Sequence, residues 1–309
     1  MNKEIIFSVI IPHKNIPELL QRCLDSIPRR EDIQIIVVDD NSDVDKVDFS
    51  NFPGEGDEFV EVYFTKEGKG AGYARNVGIE HAKGKWILFA DADDFFTENA
   101  FGFLFSYADS TDEIIFFKTE SCYSDTYERA NRNIGVNSLV DNYLSERKYS
   151  ENQLRYRHLP PWGKVVRTKL IQKEGIRFEE IVAANDRMFS ILCGHKAQSI
   201  VCLDSLLYCV TVNKGSIAHT LSKKNLESKY TTLLRCNDFL RKEKIRYCQY
   251  SILPDLLLSR KFGFFFFLKF LRLAILYKSN PLIGFNRAIS SFIFQRNEFK
   301  KNKEYIIKD

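Results

Sequence analysis

The chain has 309 residues, 44% of them apolar and 28% charged, with a net charge of +4. That is the composition of an ordinary globular protein, and the length suits one large domain or two of usual size, with ample core. Residues 251–309 carry 11 Lys/Arg against 4 Asp/Glu, whereas the rest carries 34 against 37, so basic charge is confined to the tail and nucleic-acid binding is a poor fit. The seven cysteines are odd in number, scattered and without a Cys-x-x-Cys pair, which speaks for a reducing compartment and against a disulfide frame or zinc site.

The chain enters a strand over Ile5–Ile11, stopped by Pro12, without the basic flank and long apolar stretch of a signal peptide. A helix is predicted at Pro17–Ser26, since Leu19, Leu20, Cys23, Leu24 and Ile27 recur at helical spacing. A second strand, Ile33–Val38, runs into Asp39-Asp40-Asn41-Ser42, and a third spans Phe59–Phe64. Gly68-Lys69-Gly70-Ala71-Gly72 opens a helix that Gly84 ends. The fourth strand, Trp86–Ala90, empties into Asp91-Ala92-Asp93-Asp94. Strands alternating with helices indicate βαβ units and a mostly parallel sheet with flanking helices, an α/β Rossmann-like class. A further strand is predicted at Asp112–Lys118, residues 119–160 show no clear order, and helices are expected near 168–174, at Ala183–Gly194 and at Lys223–Lys242, with a strand at Ser199–Val212.

Carboxylates at a strand end cannot stay unpaired in the core. They belong at the C-terminal sheet edge, where open α/β sheets bind ligands. Asp91 and Asp93 stand two apart, so an extended backbone points both the same way, and two hard oxygens suit Mg²⁺ or Mn²⁺ carrying phosphate. The alternative is a solvated acidic loop capping a helix that starts near Thr97. The Gly68–Gly72 loop is neither a dinucleotide fingerprint nor a Walker loop, but glycines at a helix N-terminus can approach a diphosphate, with Arg75 as a charged donor. Asp39 and Asp40 are candidates for a base or ribose contact, or for capping the next turn.

Four motifs occur in order: Ser8-Val-Ile-Ile-Pro12-His-Lys-Asn15, Val37-Val-Asp-Asp-Asn-Ser42, Gly70-x4-Arg75-Asn-x-Gly78 and Phe89-Ala-Asp-Ala-Asp-Asp94. Trp162-Gly-Lys164-Val-Val-Arg167 and Ala184-Asn-Asp186-Arg-Met-Phe189 follow. Over about residues 5–220 this set resembles the family-2 glycosyltransferases of the GT-A fold. The resemblance implies a nucleotide-sugar site with Pro12 at the nucleotide by backbone, Asp40 on a base, expected to be uracil, Arg75 beside the nucleotide, Asp91 on ribose or the metal's shell, and Lys164 also on the donor side. It implies Asp93 as ligand of a divalent Mn²⁺ or Mg²⁺ and Asp186 as catalytic base. His219 is a further candidate for the donor or metal. The chain departs from the family pattern at His13-Lys14, Gly163 and Asn185.

The expected organisation is a nucleotide-sugar-binding half (1–118), an acceptor and catalytic-base half of the same GT-A domain (119–222), and a helical, basic, Phe-rich C-terminal extension (223–309). On a helix through 260–278, Lys261, Lys269 and Arg272 share one face and leave a broad Phe/Leu/Ile face opposite, as an anionic membrane surface would select; the alternative is a helix packed on the body or on a dimer partner. The implied activity is a metal-dependent, inverting transfer of sugar from a nucleotide donor, expected to be UDP-linked, to a cell-surface glycan (polysaccharide or lipopolysaccharide) or lipid-linked acceptor. The implied location is cytoplasmic, peripheral on the inner face of the plasma membrane. Two alternatives stand beside it. A nucleotidyltransferase would carry a glycine-rich loop directly after the first strand, where Pro12-His13-Lys14-Asn15 stands. A degenerate domain acting as a membrane scaffold is opposed by the retained Asp91, Asp93 and Asp186.

Overall fold

Phe7–His13 form β1, every residue of it buried, and Ile33–Asp40 form β2, equally buried. Strands covered on both faces need apolar residues at odd and even positions alike. With β3 (Val60–Thr65) and β4 (Trp86–Phe89) they make a parallel set in which β1 lies between β2 and β4, and β3 flanks β2. The computed structural model describes residues 4–213 and 222–283, which fall into two compact units, one on each side of the gap.

In the first unit the short β5 (Phe95–Phe96), β6 (Ile114–Tyr123), β7 (Lys164–Arg167) and β8 (Ile200–Val212) complete one eight-stranded sheet of order β3-β2-β1-β4-β7-β6-β8-β5. β7 runs antiparallel to both β4 and β6, and β6 pairs parallel with β8. The division expected at 118/119 falls inside β6, so one sheet carries both halves. Helices cover both faces. Phe7, Val9 and Ile11 pack with Leu20 and Leu24 of α1 (Pro17–Asp25) on one side. On the other, Ile10 packs with Ala74 and Ile79 of α2 (Ala71–His81). This alternation is the period of two that a strand imposes.

β1 and β2 run two residues further than the apolar runs suggest. Pro12 does not stop β1, because its nitrogen faces the β4 side, where the last ladder bond is from Ala90 N to Ile10 O. β4 has turned away beyond that point, so no donor is needed.

Residues 119–160, unread in sequence, hold α4 (Ile134–Ser145) and α5 (Arg147–Arg157). α3 (Ala100–Phe105), α6 (Thr168–Lys173) and α7 (Asp186–Lys196) complete the unit. Buried Arg155 of α5 donates to Gly194 O and Ala197 O at 2.8 and 2.7 Å, satisfying carbonyls that the end of α7 leaves open.

The second unit is helical: α8 (Lys223–Lys242), α9 (Leu253–Ser259) and α10 (Phe264–Leu276). Tyr230 of α8 stacks on Phe270 of α10 at 4.2 Å between ring centroids, with Leu226, Leu234, Leu256 and Ala274 around them. Over 260–278 one face is packed and another is exposed. The apolar face opposite the cations is not free but is the core of this unit. Lys261 precedes the helix, which Gly263 separates at φ +106°, and Lys269 pairs with Glu227. Phe264, Phe265, Ile275 and Leu276 remain 68–86% exposed on the solvent side, beside exposed Lys269 and Arg272. No helix among the described residues is long and apolar enough to cross a membrane.

α2 can lie close on β1 because of Gly78. A Cβ there would sit 2.3 Å from Ile10 Cγ2, and Ile10 is enclosed on all sides. Gly78→Ala should therefore lower stability by about 1–3 kcal/mol, the range for overpacking. A denaturant midpoint unchanged by the substitution would show that α2 sits less tightly than described.

Candidate active site

The ends of β1, β2 and β4 meet at one sheet edge, and each delivers part of the site. At the end of β2 the two aspartates divide their roles. Asp39 is structural: its carboxylate accepts from His13 Nδ1 (2.8 Å), Ser42 N (2.9 Å) and Ser42 Oγ (2.5 Å). Burial pushes this carboxyl up, but the donors from His13 and Ser42 outweigh it and hold it below the ordinary carboxylate range. Ile16 N donates to His13 Nε2 at 3.1 Å, so the ring proton sits on Nδ1 and points at Asp39. His13 thus locks the strand end in place. Asp40 faces the glycine loop instead, accepting from Gly70 N at 3.0 and 2.9 Å. Lys14 Nζ donates to Asp40 O at 2.8 Å. Asn41 takes φ +56°, a conformation asparagine tolerates at turns. Pro12 is buried in β1 opposite Val38.

At the end of β4 the backbone is not extended. Asp94 N bonds back to Asp91 O at 3.0 Å, so residues 91–94 form a tight turn. The turn brings the carboxylate oxygens of Asp91, Asp93 and Asp94 within 4.8 Å of one another. The convergence expected of Asp91 and Asp93 is present, but it comes from the turn, not from strand alternation. Asp94 is fully buried and accepts from Tyr208 Oη (2.9 Å) and Thr211 N (2.7 Å). Asp93 accepts from Asn213 Nδ2 at 2.8 Å. Burial, with the charge of Asp91, pushes Asp93 up, and burial with both neighbours pushes Asp94 well up. Arg132 opposes both shifts from the cavity side. The donor set is all hard oxygen, and its crowded negative charge fits a divalent cation. Asp94 is thus held by β8, Asp93 by Asn213 and Asp91 by Arg75.

Arg75 Nη2 bonds Asp91 Oδ1 at 2.6 Å and Nη1 bonds Asn185 Oδ1 at 3.1 Å. Asn185 therefore takes part through its amide oxygen. Beside Arg75, Asn76 clamps Phe178 by donating to its carbonyl (2.9 Å) and accepting from its N–H (2.8 Å). That clamp brings the 176–185 segment against α2. A Cβ on Gly72 would lie 2.3 Å from Glu179 O, so only glycine admits the approach. Ala184 turns through φ +62°, a strained conformation for a side chain with a Cβ, and α7 starts with Asp186 after the capping Asn185. Asp186, Asp91, Arg75, Arg132 and Trp162 line one cavity of about 350 Å³. Burial raises the Asp186 carboxyl, with Arg75 and Arg187 opposing.

The structure thus brings Arg75, Asp91 and Asp186 to one cavity, with Asp93 in the adjoining turn. Pro12 and Asp40 stand at neighbouring strand ends. Lys164 is not at the cavity wall: its ammonium is buried and bonded to His158 O and Ser190 Oγ. His219 lies outside the described residues. Sequence reasoning missed Arg132, Tyr208, Thr211 and Asn213, which come from a loop and a distant strand and carry no local motif. Asn76 was within reach, since it follows Arg75 in a motif already singled out.

Residues 8–174 match the family model for glycosyl transferase family 2. Glycosyltransferase GlyA of Streptococcus pneumoniae is 24% identical over 235 residues, which is 70% of this chain but 32% of that relative's length. The S. aureus TarS 1-349 structure in complex with UDP-GlcNAc superposes with TM-score 0.60 at 19% identity, covering 91% of this chain and 75% of that one. The mannosyltransferase PcManGT from Pyrobaculum calidifontis, solved with GDP-Man and Mn²⁺, gives 0.56 at 16% identity, covering 97% and 84%. At these identities the structures speak for a shared fold, the GT-A architecture. The family model spans more than half of the chain, in the region that forms the sheet edge, the glycine loop and the acidic turn, and the chain belongs to glycosyl transferase family 2.

Proposed function

We propose that the chain is an inverting glycosyltransferase that moves a sugar from a UDP-linked donor to a hydroxyl of a cell-surface glycan or lipid-linked acceptor. The observation that carries this reading is the single cavity on which Asp186 and the Arg75–Asp91 pair converge next to the acidic turn. TarS, solved with UDP-GlcNAc, supports a uridine nucleotide donor, and PcManGT, solved with GDP-Man and Mn²⁺, supports a divalent ion.

In this reading residues 1–118 hold the nucleotide. Asp40 and the backbone of Pro12 meet the base, and the amides at the start of α2 face the diphosphate. Asp93, with Asp91 as a second oxygen, would hold Mn²⁺ or Mg²⁺, which would supply a Lewis acid that offsets charge on the leaving diphosphate. Residues 119–222 bring the acceptor. Asp186 takes the proton of the acceptor hydroxyl as that oxygen bonds to the anomeric carbon, and the bond from that carbon to the diphosphate oxygen breaks on the opposite face. One displacement inverts the carbon.

The second unit serves as a peripheral contact with the cytoplasmic leaflet. Phe264, Phe265, Ile275 and Leu276 are exposed beside Lys269 and Arg272, a combination that suits an anionic interface.

Asp186→Asn should reduce transfer by about 10²–10⁴-fold, the usual contribution of a general base. The raised carboxyl also sets a sign. Transfer by the wild-type chain should fall as pH drops through a value above the ordinary 3.9 or so of aspartate, because the base becomes protonated. Full transfer by Asp186→Asn would remove the base assignment. For the membrane, the paired substitution Phe265→Asp and Ile275→Asp spares the α8–α9–α10 core, which truncating the tail would open. The wild-type chain should float with anionic vesicles and the double variant should not; equal flotation sinks the membrane contact.

A further inference from the structure

Among the described residues, Lys164 is a buried cation without an ion pair. Its side chain starts β7, opposite Phe116 of β6, and is 2% exposed. Nζ donates to His158 O at 2.8 Å and to Ser190 Oγ at 2.9 Å, and Ser190 Oγ donates onward to Leu159 O at 2.6 Å. No carboxylate lies within ion-pair distance of this ammonium among the described residues. Burying an ammonium without a counter-charge is unfavourable, and burial lowers the Lys164 ammonium to about 8. A methionine of similar length would fill the space without that penalty.

The partners of Lys164 explain its presence. Ser190 stands four residues after Asp186 on α7, one turn along the same face. His158 and Leu159 form the corner directly before Pro160, Pro161 and Trp162, which line the cavity. Lys164 and Ser190 therefore join the two walls between which Asp186 projects. Against the lowering by burial, Cys193 of α7 acts first on the Lys164 ammonium, and the field of Asp186 reaches it as well.

We propose that Lys164 is a positioning residue for Asp186, tying α7 one turn beyond the base, through Ser190, to the 158–159 corner and so fixing the base at the cavity wall. The proposal rests on Asp186 being the base, as inferred above, and it replaces the donor contact that the motif suggested for Lys164. The charged groups around Asp186 are Arg75 from α2, Arg187 on α7 itself, Asp91 from the acidic turn, Arg132 across the cavity and Lys164 from β7. Removing the Lys164 charge disfavours the ionised carboxylate, so the acid limb of the pH profile moves up.

The test uses the full chain as Lys164→Met, Lys164→Arg and Ser190→Ala, with transfer from UDP-sugar followed across pH. Lys164→Met should lower kcat on the order of 10–100-fold, the scale for residues that orient a reacting group from behind, leave donor KM at the wild-type value and move the acid limb to higher pH. Lys164→Arg should restore much of the rate and return the limb. Ser190→Ala, which keeps the charge, should lower kcat without moving the limb. A raised donor KM at unchanged kcat would return Lys164 to the donor site, and wild-type kcat with a wild-type limb would overturn the tie. Hydrogen exchange over residues 184–190 reads the tie without turnover. Faster exchange in Lys164→Met and Ser190→Ala supports it, and unchanged exchange in both overturns it. If Lys164→Met does not fold, Ser190→Ala alone decides by the same readings. A wild-type chain that transfers no sugar, or an Asp186→Asn chain that transfers fully, marks failure of the functional reading instead, and exchange still judges the tie.

Discussion

Three carboxylates packed within 4.8 Å of one another at the edge of an apolar sheet set the terms for the rest of the first unit. Like charges that close repel, and burial makes Asp93 and Asp94 harder to ionise. The surrounding chain answers with donors drawn from far apart in sequence. Tyr208 and Thr211 hold Asp94, Asn213 meets Asp93, and Arg75 meets Asp91. β8 therefore does more than extend the sheet. With Asn213, just past its end, it holds Asp94 and Asp93 of the acidic turn.

α2 is the second organiser. Gly70 caps it and meets Asp40, Gly72 lets the Glu179 backbone close in, Arg75 bridges Asp91 to Asn185, and Asn76 clamps Phe178. One helix of 11 residues thus joins the end of β2 to the segment that carries Asp186. Charge and close packing are combined in it, since Gly78 sets its distance from β1 and Arg75 its contribution to the cavity.

Much of this was legible in sequence where the signal is local. Buried parallel strands read as apolar runs, and β1, β2 and β4 were found within two residues at either end because Ile, Val and Phe fill both faces. α8 was located at its observed bounds. What the sequence did not reveal was set by distant partners. The helices α4 and α5 were missed because α5 is largely polar and is held by Arg155 reaching the carbonyls of another helix. The turn at Asp91–Asp94 was read as extended, since no residue type in it demands a turn. The double role of Asp39-Asp40 could not be separated before His13, 26 positions away from Asp39, was seen to bind it. In the tail the amphipathic pattern was real, but one apolar face looks the same in sequence whether a neighbouring helix or a lipid surface covers it.

The acidic turn as a divalent-cation site beside a nucleotide pocket is most directly tested by calorimetric titration of UDP into the full chain at neutral pH, with and without Mn²⁺, for the wild type and Asp93→Ala. Mn²⁺ should tighten UDP binding to the wild type by at least about tenfold, or about 1.4 kcal/mol, and should leave Asp93→Ala unaffected. Equal UDP affinity with and without Mn²⁺ in the wild type would contradict a divalent-cation site at this strand end.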